Sequence, residues 1–103
     1  PIKSLNEIID ANFNTCPHFM SLDIEGFDLD VLKSLDYAKY PIPVICVETC
    51  SYSDIHIKPK IAEFDIVMKE FGYFAYADTY VNTIYVNQEW FNQRGIINFK
   101  NIV

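Results

Sequence analysis

A chain of 103 residues, half of them hydrophobic and 16% aromatic, has apolar surface for one small core and too much of it for a disordered segment. Its net charge of −6, from 14 acidic against 8 scattered basic residues, excludes a broad electrostatic grip on nucleic acid or an anionic membrane. No apolar run approaches the roughly 20 residues that cross a bilayer, Pro1 to Asp10 carries no signal pattern, and three cysteines suit reduced thiols, so a cytoplasmic location is expected.

Ser4-Leu5-Asn6-Glu7 has the form of a capping box, and Leu5, Ile8, Ile9 and Phe13 share one face of the helix it would start. After a turn around Asn14 to His18, Phe19 to Ile24 has the length of a buried strand, ended by Gly26. Phe27, Val31, Leu32 and Leu35 recur at near-helical spacing, with Asp28 or a neighbouring carboxylate expected to cap the exposed amides. Tyr40-Pro41-Ile42-Pro43 stops that helix, because proline removes a donor and restricts the residue before it.

Val44 to Val47 shows no polar alternation, which suits a strand covered on both faces and ending at Glu48. A polar loop with Ser51, Ser53, Asp54 and His56 is expected next, and Pro59 stands where a helix would begin. Ile61, Phe64, Val67, Met68 and Phe71 form the inward stripe of that helix, and Gly72 is its stop. Tyr73 to Thr79 and Thr83 to Asn87 predict two strands about a turn near Val81-Asn82, followed by a single helical turn at Glu89 to Phe91.

This order predicts one α/β domain over residues 1–103, a parallel crossover unit finished by an antiparallel hairpin. Ligands in such sheets bind beyond the carboxyl ends of the strands, which directs attention to Asp23, Glu25 and Glu48. Asp23 and Glu25 are two apart and share a side of the strand end if extended geometry persists, while Glu48 ends the neighbouring strand. Three carboxylates on one rim can accept hydrogen bonds from hydroxyls, take a proton, or hold a hard cation, and their mutual repulsion would raise a pKa into the range of a general base.

Several of these residues also have a plain structural reading. Carboxylates just ahead of a helix cap it, which would account for Glu25 and Asp28. Cys46 fits a small core residue, and Cys46 with Cys50 has no histidine at zinc-site spacing. His56, two residues after Asp54, can reach a substrate above the sheet, although an ordinary loop histidine is the commoner case. Tyr73, Phe74, Tyr76, Tyr80 and Tyr85 lack flanking Lys or Arg and so read as hairpin packing rather than a base-stacking platform.

The run Phe19-Met20-Ser21-Leu22-Asp23-Ile24-Glu25-Gly26-Phe27-Asp28, continuing through Val31-Leu32, resembles a signature of FkbM-type methyltransferases. Tyr40-Pro41, Val44 to Thr49, Phe71-Gly72-Tyr73 and Asn82 to Val86 are similar to later segments of that family, so the resemblance spans about residues 4–87. It implies part of a Rossmann-like methyltransferase sheet and S-adenosylmethionine-dependent O-methylation of a hydroxyl on a small molecule or sugar. By the same resemblance, Asp23, Glu25 and Glu48 map to the acidic positions near the substrate end of the sheet and are expected to be catalytic. Thr49 and His56, beyond the second parallel strand, are expected at the substrate. The chain departs from the family in one large respect: its three glycines are Gly26, Gly72 and Gly95, and no glycine-rich turn is present to cradle the methyl donor.

The strands read here would thus be the later ones of the family order, and the isolated chain is expected neither to bind the donor nor to be active. The first parallel strand would then have an open edge, and an open apolar edge is a template for another chain, so a homodimer is expected. Two other readings stand beside this one. A small α/β interaction module would use the same edge to dock a partner. A metal-dependent nuclease is suggested by Asp23-Ile24-Glu25, but such enzymes open with a strand hairpin and need later acidic motifs, and Asp65 and Asp78 lack that pattern.

Overall fold

The capping box at Ser4 forms: Ser4 Oγ accepts from the Glu7 amide at 3.2 Å and Glu7 Oε1 accepts from the Ser4 amide at 3.2 Å. It starts α1 (Leu5–Asn12), the first element of a computed structural model that describes residues 4–23, 27–52 and 57–94. Then come β1 (Phe19–Leu22), α2 (Asp28–Ser34), β2 (Val44–Glu48), β3 (Cys50–Tyr52), β4 (Ile57–Lys60), α3 (Glu63–Glu70), β5 (Tyr73–Asp78) and β6 (Asn82–Asn87). Residues 88–94 are helical again. No helix among the described residues is long and apolar enough to cross a membrane.

Four strands form one sheet in the order β1-β2-β6-β5. β1 and β2 are parallel, in register from Phe19 opposite Val44 to Leu22 opposite Val47. β6 runs antiparallel to both β2 and β5, so β5 points the same way as β1 and β2. The carboxyl ends of β1, β2 and β5 therefore lie along one rim, and the turn from β5 into β6 belongs to it.

Alternation sorts the sheet residues between its two faces. Leu22, Ile45, Val47, Tyr73 and Tyr85 are buried in one cluster with Ile9 of α1, Leu32 of α2, and Phe64 and Met68 of α3, so all three helices cover the same face. Leu32, Ile45, Val47 and Met68 have no solvent exposure, and removal of each such side chain from water contributes about 1.5–3 kcal/mol. The end of α2 is tied to α1 by Asn6, whose Nδ2 donates to Ser34 O at 3.0 Å while its Oδ1 accepts from the Asp36 amide at 2.9 Å.

On the opposite face Val44, Cys46 and Ile84 are half-buried, and Phe19 is 58% exposed. Phe91 of the helical stretch 88–94 packs edge-on against Phe74, with ring centroids 5.4 Å apart, and lies 6.1 Å from Tyr76. That contact agrees with hairpin packing as the role of Phe74 and Tyr76. Tyr73 and Tyr85 serve the helix-covered side instead.

Five local expectations are corrected. β1 ends at Leu22 and Asp23 is outside it, so the strand is shorter than expected, while Ile24 lies outside the described residues. Residues 50–52 and 57–60 form the β3–β4 pair, with Cys50 opposite Lys60 and Tyr52 opposite Ile57, where a loop and then a helix were expected. Pro59 lies within β4, an edge strand, where a residue without an amide donor is tolerated; α3 begins later, at Glu63. Asp28 is not the N-cap of α2, a position held by Phe27 without a side-chain cap bond; it is the first helical residue, buried at 6% exposure, and its charge there complements the helix dipole. The turn expected at Glu89 to Phe91 is longer, from 88 to 94.

Candidate functional site

The register of β1 on β2 fixes the geometry of the rim. Leu22 stands opposite Val47, and one residue further along each strand come Asp23 and Glu48. Glu48 also stands opposite Asn82 of β6, with the facing of Val44 and Cys46 rather than that of the buried Ile45 and Val47. Asp23 is exposed and Glu48 half-buried. Of the three carboxylates expected on this rim, two, Asp23 and Glu48, follow adjacent positions of the paired strands. Glu25 and His56 lie outside the described residues.

A third carboxylate on the rim had no site role in the sequence reading. Asp78 ends β5, and its Oδ1 accepts from the Tyr80 amide at 2.6 Å. Nothing in the local sequence distinguishes Asp78 from a turn residue, because its place on the rim depends on β5 running parallel to β2.

Thr49, expected at the substrate, is 2% exposed. Its amide donates to Val81 O at 2.9 Å, its carbonyl accepts from the Ile61 amide at 2.8 Å, and its hydroxyl lies 2.7 Å from that of Thr83, also 2% exposed. These bonds lock the end of β2 to the turn before β6 and to the approach of α3. Two residues on from Thr83 along β6, the Tyr85 phenol donates to Asp65 of α3 at 2.5 Å.

Burial, reinforced by the Asp65 hydrogen bond, pushes the Tyr85 phenol far above its usual pKa. At neutral pH the phenol is a fixed donor and not a base. Tyr73 is similar: burial pushes it up to about 12, and its hydroxyl donates to Ile42 O. A cleft of about 470 Å³ opens beside β5 and α3, lined by residues that include Asp65, Lys69, Phe74, Tyr85 and Gln88.

Among the described residues no group of three or more His, Cys, Asp or Glu could hold a metal ion. Gly72 is the one described glycine; with φ of +88° it closes α3, and its amide donates to Lys69 O at 3.1 Å. It is a helix stop and not a strand-to-helix phosphate or nucleoside turn. Among the described residues there is no glycine-rich strand-to-helix turn of the kind that holds S-adenosylmethionine, and Gly26 lies outside them.

A family model described as the methyltransferase FkbM domain matches residues 1–75, from before α1 into the start of β5. Among curated proteins and among solved structures, nothing matches the chain.

Proposed function

Because the chain belongs to the FkbM family of S-adenosylmethionine-dependent methyltransferases, we propose that it supplies the acceptor side of an O-methyltransferase acting on a hydroxyl of a small molecule or sugar. The observation that carries the reading is the parallel pairing of β1 and β2, which ends at one rim in Asp23 and Glu48. A hydroxyl oxygen is a poor nucleophile until a neighbouring group accepts its proton, and a carboxylate held at hydrogen-bond reach does this as the new bond forms. Asp23, the more exposed of the two, is that acceptor. Glu48, in the ladder of β2 beside β6, holds a second hydroxyl and so fixes the orientation of the substrate.

Glu25 and His56 are assigned to the same acceptor site by their positions in the sequence. Residues outside this chain hold the donor, so the isolated chain is inactive. Free thiols at Cys16 and Cys46 support a cytoplasmic setting.

The test is methyl transfer by the full-length protein. Asp23→Asn lowers kcat by roughly 10²–10⁴-fold, the usual contribution of a positioned base, with the circular dichroism spectrum unchanged. Glu48→Gln raises KM for the acceptor and leaves KM for the donor alone. Full activity in Asp23→Asn removes the assignment of the base, and an unaltered acceptor KM in Glu48→Gln removes that of the orienting group.

A further inference from the structure

Asn82 opens β6 on the rim, and its backbone closes the turn from β5. Its carbonyl accepts from the Thr79 amide at 2.9 Å, and its amide donates to Thr79 Oγ1 at 3.2 Å. The side chain takes no part in that closure, because the hydroxyl of Thr79 supplies the cap. Among the described residues the exposed Asn82 carboxamide makes no hydrogen bond.

The ladder sets where this carboxamide stands. The Thr49 amide bonds Val81 O at 2.9 Å, which makes Thr49 and Val81 a hydrogen-bonded pair and the next pair, Glu48 and Asn82, a non-hydrogen-bonded one. In such pairs the Cα atoms are about 4.5 Å apart and the two side chains leave the same face at close approach. That face is the one away from the helices, because the same column of the ladder continues as Cys46 opposite Ile84 and Val44 opposite Val86. Two apolar pairs thus end at the rim in a polar one.

Ionised Glu48 can only accept hydrogen bonds, whereas the NH2 of Asn82 donates. A hydroxyl does both at once. The pair therefore satisfies one hydroxyl in full: Glu48 accepts from its O–H while Asn82 Nδ2 donates to its oxygen. Asp23 follows Leu22 on the adjoining strand, and neighbouring strands are about 4.8 Å apart, a spacing suited to two hydroxyls on adjacent carbons.

Resting on the acceptor-side reading above, we infer that Asn82 is a specificity-determining residue and that the acceptor is a vicinal diol, with one hydroxyl held between Glu48 and Asn82 while its neighbour reacts at Asp23. An acceptor without the second hydroxyl leaves both Glu48 and Asn82 without their ligand partner, so the site discriminates against it.

The experiment uses the full-length protein and a panel of methyl glycosides, each compared with its monodeoxy analogues. In the wild type, loss of the hydroxyl beside the methylated one should lower kcat/KM at least about tenfold. Asn82→Ala removes the donor, and Asn82→Asp removes it while keeping the shape of the side chain. Each should narrow the preference for the diol roughly fivefold, with KM for the donor unchanged, a change that a purely structural role would not produce. A preference that stays at the wild-type value in Asn82→Ala overturns the inference. So does a melting temperature lowered by more than about 4 °C in both variants, which assigns the carboxamide to the fold. A wild type that methylates isolated hydroxyls as well as vicinal ones sinks the inference and leaves the methyltransferase reading standing. A wild type that methylates no hydroxyl sinks both.

Discussion

Replacement of Thr49 by valine tests whether its hydroxyl serves the fold or a substrate. Valine keeps the shape and removes one partner of the 2.7 Å hydroxyl pair. Both threonines are 2% exposed, so water does not replace the lost partner. One net hydrogen bond in such a place contributes about 1 kcal/mol, and the residual desolvation of the Thr83 oxygen brings the cost to about 1–2 kcal/mol. For a domain of this size that lowers Tm by roughly 4–8 °C per kcal/mol.

The double variant Thr49→Val/Thr83→Val should cost less than the sum of the two single changes by at least about 0.5 kcal/mol, since the second substitution meets a bond that the first has already removed. Urea unfolding followed by circular dichroism gives all three values, with the fluorescence of the single tryptophan, Trp90, as a second probe. Additive costs would show that the two hydroxyls are independent. An unchanged stability in Thr49→Val, with acceptor binding lost, would place the hydroxyl at the substrate and refute the structural role.

Alkaline pH should unfold the chain through its buried phenols. Burial raises the pKa of Tyr37, Tyr73 and Tyr85 in the folded state, so between pH 10 and the folded values the unfolded chain releases protons that the native one keeps. Stability is thus complete below about pH 10 and falls above it. Tyr73 alone, pushed up to about 12, removes roughly 2 kcal/mol by pH 12; equal urea midpoints at pH 8 and pH 11.5 would contradict this. We further expect this chain to form a dimer through β1, which has β2 as its one neighbour among the described strands and carries no Lys, Pro or bulge to blunt its edge. Sedimentation velocity from micromolar to near-millimolar concentration should show that dimer, with Ser21→Lys weakening it. A monomer throughout ends the proposal.

The parts of this fold that the sequence made legible are those set by local chemistry. Ser4 and Glu7 cap α1 because both halves of the box lie within one turn, and the uninterrupted run at Val44 to Val47 marks a central strand from its composition alone. Pro59 shows the limit. Proline at the start of a helix and proline in an edge strand look alike in sequence, and the choice rests on whether residues 50–52 fold back to pair with 57–60. The site divides in the same way. Asp23 and Glu48 could be found as the polar ends of apolar runs, whereas the burial of Thr49 against Thr83 and the place of Asp78 on the rim depend on strand order. The backbone has its own case: Tyr80 takes a φ of +75°, which has no signature in a Thr-Tyr-Val-Asn turn.

β6 is the last of the described strands in chain order and the second from one side of the sheet, wedged between β2 and β5. A chain emerging from the ribosome therefore holds β2 with one side unpaired until the sequence beyond Asn87 has been synthesised, and a stop introduced ahead of Asn82 detaches β5 from everything but its helix. Assembly waits on its keystone: the slow event is insertion of the closing segment between strands already present, and chaperones would meet this protein with an unfilled slot rather than with an unravelled end.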